Sequence, residues 1–127
     1  MYEDDIVGIH TIELETGQPW TWTSTTVSLN SGGLTTTRKC CYWWYLTAGP
    51  SMSNGGNSSH VWANGKASYI CHNSEPTPFC IGNTPQYPMT FHTWLHMYPN
   101  GVASATGTSY SGIVIPGGNC YYEFWVS

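Results

Sequence analysis

The side chains best equipped for chemistry sit in one short alternating run, residues 89–98, where His92, Trp94, His96 and Tyr98 are interleaved with Phe91, Thr93, Leu95 and Met97. Successive side chains of a strand point to opposite faces, so this pattern predicts an apolar inner set and a polar-aromatic outer set. The same alternation in 120–126 separates Tyr122, Phe124 and Val126 from Tyr121, Glu123 and Trp125. The ionisable Glu123 belongs on the wet side, which takes Tyr121 and Trp125 with it. His92, Trp94, His96, Tyr98, Tyr121, Glu123 and Trp125 are therefore the candidate ligand-binding residues. Their rings can stack on sugar rings while the carboxylate and imidazoles form hydrogen bonds. Two other readings use the same residues. Both faces can be buried between sheets, with the aromatics filling the core, or the outer set can be a contact between subunits.

Metal and catalytic chemistry are weaker expectations. His92 and His96 would share a face of a helix, but on a regular strand at roughly 3.3 Å per residue they lie about 13 Å apart. That is too far for one ion bound at about 2 Å per ligand, so no metal or other cofactor is expected. A bulge, a helical turn or a His on a second strand, such as His72, would rescue a site at this pair, while His10 and His60 fit no ligand pattern. Most of the carboxylates (Glu3, Asp4, Asp5, Glu13, Glu15, Glu75 and Glu123) crowd the first strand, as on a solvated edge. No nucleophile motif is present. The chain is expected not to be an enzyme, and a small secreted enzyme or toxin using a His or Glu123 is the least favoured function.

Cys40, Cys41, Cys71, Cys80 and Cys120 contain no C-x-x-C pair and no zinc-ligand spacing, so they read as disulfide candidates with one thiol left over. Disulfides imply an oxidising compartment, and the chain is expected to be secreted or on an extracellular surface. Cys40 and Cys41 are adjacent and would face opposite ways on a strand. The inward one could pair with Cys120, leaving the other free or cross-linked to another subunit. Alternatively both pair internally, and Cys71 or Cys80 is the free thiol.

Only 8% of the 127 residues are charged, against roughly 25% in an average soluble protein. With Arg38, Lys39 and Lys66 as the only fixed cations and a formal net charge of −4, the chain cannot neutralise many phosphates. Nucleic acid is not an expected partner. No apolar run approaches the roughly 20 residues that span a bilayer, so membrane insertion is not expected either.

Short β-branched and aromatic runs separated by Gly, Pro and Asn predict an all-β class and one domain, residues 1–127. About eight short strands are expected, at 6–15, 20–29, 34–46, 60–63, 66–72, 89–98, 109–115 and 120–126. The architecture they suggest is an antiparallel β-sandwich, Greek-key or jelly-roll-like. Asn64-Gly65 suits a type I′ turn between the fourth and fifth strands. Pro99-Asn100-Gly101 and Pro116-Gly117-Gly118-Asn119 read as further turns, and residues 49–59 and 73–88 as surface loops.

The segment 112–126 resembles the strand, Pro-Gly turn and Tyr-rich strand of cupredoxin domains. The copper motif is missing, because His92 and His96 are not spaced H-x-H and no His follows Cys120, so the resemblance brings no copper ligand. The function expected from the residues is a non-enzymatic recognition or adhesion module, lectin-like, binding glycans or a cell-surface ligand through exposed aromatics. The competing expectation is a structural subunit of an extracellular fibre, coat or capsid that assembles with copies of itself.

Overall fold

The computed structural model describes residues 2–4, 10–39, 44–71, 89–110 and 120–121. These residues form ten strands and one 3-10 turn, and no α-helix. The strands are β1 (Tyr2–Asp4), β2 (His10–Gly17), β3 (Trp20–Trp22), β4 (Val27–Leu29), β5 (Leu34–Lys39), β6 (Trp44–Asn57), β7 (His60–Cys71), β8 (Met89–Met97), β9 (Ala103–Tyr110) and β10 (Cys120–Tyr121). Every pairing is antiparallel. The strands form a four-stranded sheet β10-β1-β2-β5, a hairpin β3-β4 and a four-stranded sheet β6-β7-β8-β9. The chain is all-β, as its composition predicts.

The core lies on one face of the β6–β9 sheet. Alternation sends Val61, Ala63, Gly65, Ala67 and Tyr69 of β7 and Phe91, Thr93, Leu95 and Met97 of β8 to that face, and all but Leu95 are fully buried. At one end, Val27 of β4 packs with Val61, Ala63 and Met97, and Trp20, Leu29, Met52, Leu95 and Ala103 close around them. Towards the other end, the Tyr69 hydroxyl bonds Thr37 of β5 (3.1 Å), and its ring meets Phe91 edge-on. Leu14, the register partner of Thr37, is wholly buried there. Between these ends, Thr16 of β2 bonds both Thr35 of β5 (3.0 Å) and Thr93 of β8 (2.6 Å), which ties the two larger sheets together through hydroxyls.

That hydroxyl cluster corrects the expected turn at Asn64-Gly65. Both residues lie inside β7, with Ser53 and Met52 on one side and Trp94 and Thr93 on the other, and neither has the positive φ that a type I′ turn needs. Gly65 is required for space, because a Cβ there would stand 1.9 Å from the Thr16 hydroxyl and 2.7 Å from those of Thr35 and Thr93. Asn64 is buried, and its amide donates to the Thr93 carbonyl (3.0 Å). The hairpin turns instead at Ser58-Ser59, where the Asn57 side-chain oxygen accepts from the backbone N–H groups of Ser59 (2.8 Å) and His60 (3.1 Å).

The expected loop 49–59 is also corrected. Residues 49–57 belong to β6, whose register shifts around Gly49-Pro50, and Gly49 and Gly56 take positive φ. Residues 20–29 are two strands rather than one. Thr23 and Thr26 bond each other through backbone (2.9 Å) and hydroxyls (2.7 Å), which folds the segment back on itself. The Pro99-Asn100-Gly101 turn is present, with Asn100 and Gly101 at positive φ and the Asn100 N–H donated to Thr23 O. The expected turn at 116–119 and loop at 73–88 lie outside the described residues.

Candidate functional site

The face of the β6–β9 sheet opposite the core carries the polar-aromatic set. β8 runs in unbroken register between β7 and β9, so His92, Trp94 and His96 point together away from Phe91, Thr93 and Met97. Their burial follows the same division, with the inner three buried and the outer three, and Tyr98 beyond them, half-buried. β7 contributes His60 and Trp62 to this face, since Trp62 stands opposite His96 and Asn64 opposite Trp94.

Five rings make a continuous array. Tyr98 lies against His60 with centroids 4.7 Å apart and planes within 10°. His60 and His96 follow at 5.1 Å and 20°, then His96 and Trp94 at 6.2 Å and 12°. Trp62 tilts against Trp94 at 5.8 Å and 53°. Four of the five rings are thus nearly parallel to their neighbours, and none is fully buried.

Among the described residues, the positions that flank this array are small. Trp62 extends over Gly55 of β6, where a Cβ would meet the indole at 3.0 Å, so a larger residue would push the ring away. On β9 the neighbours of His96 and Trp94 are Ser104 and Thr106. By register, the outer face takes Ser51, Ser53, Gly55 and Asn57 from β6 and Ser104 and Thr106 from β9. Among the described residues of these four strands, no carboxylate stands on it. Lys66, opposite His92 at the far end of the array, is its fixed cation and is exposed.

His92 stands on the same face, opposite Lys66. Partial burial, and secondarily the nearby Lys66 charge, lower its pKa below the ordinary histidine value. His96 has a second-strand partner in His60, while His72 lies outside the described residues. The two rings bond through His60 Nε2 and His96 Nδ1 at 2.9 Å. Among the described residues, no group of three or more His, Cys, Asp or Glu is placed to hold a metal ion.

Of the other ligand-binding candidates, only Tyr121 is among the described residues, and it falls elsewhere. Tyr121 is on β10, paired with Tyr2 of β1 in the second four-stranded sheet, while Glu123 and Trp125 lie outside the described residues. Cys120 pairs with Glu3 and Cys71 with Trp44 in backbone register, and Cys40, Cys41 and Cys80 lie outside the described residues. The first-strand carboxylates divide: Glu13 accepts a two-pronged bond from the Arg38 guanidinium (2.6 and 2.9 Å), and the neighbouring Glu15 is exposed.

His60 and Trp62 are the site residues that sequence reasoning missed. Their signal was present, since His60-x-Trp62-x-Asn64 alternates with Val61-x-Ala63-x-Gly65 just as the β8 set does. No family model, curated protein or solved structure matches the chain.

Proposed function

We propose that this chain is an extracellular, non-enzymatic recognition module that binds glycans or a glycan-bearing cell surface through the array of Trp62, Trp94, His96, His60 and Tyr98. The observation that carries this reading is the run of nearly parallel, half-exposed rings on a sheet face whose remaining positions are mostly Ser, Thr, Asn and Gly. Apolar ring faces beside neutral hydrogen-bonding groups suit pyranose rings, which present C–H faces and hydroxyl edges. A scaffold of antiparallel β-sandwich type accords with the packing of β2 and β5 against the inner face of β7 and β8.

Glycan-array binding of the wild type, Trp94→Ala and Trp62→Ala tests the reading. Each substitution is expected to weaken binding to a retained glycan by at least about tenfold, the scale of a central aromatic anchor. Binding unaltered in both variants would contradict the site.

A second reading, assembly with copies of itself, is favoured by a separate observation. Leu34, Val102, Trp22, Tyr45 and Leu46 are all large apolar or aromatic residues left exposed, Leu34 by 63%. Light scattering separates the two, and a strict monomer at high concentration would count against assembly.

A further inference from the structure

We infer that the recognition face is gated by protons, with His60 and His96 sharing one ring proton across β7 and β8 and the array coming apart when both rings are charged. This rests on the glycan-recognition reading and concerns the regulation of that same site. With ring nitrogens 2.9 Å apart, a centroid separation of 5.1 Å at 20° means that the rings lie edge to edge along the hydrogen bond, not one over the other. Each nitrogen therefore aims at the other.

The chemistry of that contact depends on proton count. When both rings are neutral, one nitrogen donates and the other accepts. When one ring is protonated, the bond persists and gains strength from the charge. When both are protonated, each nitrogen is a donor, so two N–H groups and two positive charges face each other. The pair must then separate.

No described negative charge on this face offsets the second positive one. From β7 the pair faces Trp62, Asn64 and Lys66, and from β8 it faces His92, Trp94 and Tyr98. β6 supplies Gly55 and Asn57, and β9 supplies Ser104 and Thr106. The charged or titratable members are Lys66 and His92, which are cationic when charged, and Tyr98, a phenol that can donate and accept hydrogen bonds. No described carboxylate joins them. Separation of the pair would also disturb the rings beside it, Tyr98 against His60 and Trp94 against His96. The gate and the platform are the same side chains.

The test uses the full chain and has two arms. In the first, without ligand, NMR follows the imidazole signals of His60 and His96 and the ring signals of Tyr98 and Trp94 while pH is lowered from about 7.5 until both imidazoles are protonated. Both should shift as the second imidazole of the pair becomes protonated, and the shifts should largely disappear in His60→Phe, which keeps a ring beside Tyr98 but has no proton to share. His96→Gln serves as a second variant. If both imidazoles of the wild type become protonated while Tyr98 and Trp94 stay unmoved, the gate is overturned.

In the second arm, binding of a glycan retained at about pH 7.5 should weaken at least about tenfold in the wild type at the pH where both imidazoles are protonated, and less than about threefold over the same interval in His60→Phe. Equal wild-type affinity at the two pH values overturns the gate alone. Failure to retain any glycan at the higher pH overturns the recognition reading on which the gate rests.

Discussion

The two faces of the β6–β9 sheet come from the same strands, often from adjacent residues, yet they obey different rules. On the inner face, Val61, Ala63, Ala67, Phe91 and Met97 are buried to within a few per cent, and Gly65 is held to a glycine by three threonine hydroxyls. One residue along each strand, His60, Trp62, Trp94 and His96 are larger or more polar, half-exposed, and in contact chiefly with one another. Complementary filling fixes the inner set. Ring planes and hydrogen-bonding capacity distinguish the outer one. The comparison shows that abundant aromatics need not mean an aromatic core, because of the five rings in the array none belongs to the fully buried set.

Substitutions that separate stability from binding should expose this division. Phe91→Ala is expected to have the largest effect, a loss of about 3–5 kcal/mol of unfolding free energy in urea titrations, because a fully buried ring leaves a cavity. Trp94→Ala, three residues away but on the other face, should cost less than half as much while removing ligand binding. Equal losses of stability would break the distinction between the faces.

Gly65→Ala should cost about 1–3 kcal/mol through crowding of the threonine cluster. Much of that loss should return when Thr16→Ala is added, since the nearest obstructing atom is then gone. A glycine needed only for a turn would show no such coupling. Glu13→Gln should change stability by no more than about 1 kcal/mol, because its Arg38 partner is largely exposed and the pair lies outside both faces.

A smaller effect is expected from His92. Its lowered pKa means that, as pH falls below the unfolded value of 6.5, the unfolded chain takes up this proton before the folded one does. Its contribution to stability is therefore fully present above that pH and declines as the solution becomes more acid. His92→Phe should flatten part of the acid-side decline in thermal-melt profiles. A steeper decline in that variant would contradict the assignment.

The all-β class and the division of residues 89–98 into two faces were legible in the sequence, because β8 is long, regular and strictly alternating. β7 was harder to read. Its Asn64-Gly65 pair carries the local signature of a turn, whereas the reason for glycine there is contact with Thr16, Thr35 and Thr93, residues remote in sequence. Breaking β7 at that point obscured its alternation and hid His60 and Trp62. Residues 49–57 of β6 were read as a loop for a related reason, since their glycines resemble flexible linker residues, yet Gly55 makes room for the Trp62 ring and Gly49 and Gly56 supply positive φ within the strand. The pairing of His60 with His96 depends on register between strands, which no local pattern specifies.

The most direct test of the central claim is an NMR titration with a retained glycan that follows the indole N–H signals of individual tryptophans. Trp62 and Trp94 should shift together and saturate at one affinity, while Trp20 and Trp22 of the β3–β4 hairpin, on the opposite side of the sheet, should remain in place. Shifts confined to Trp20 and Trp22, with Trp62 and Trp94 unmoved at saturation, would contradict the account.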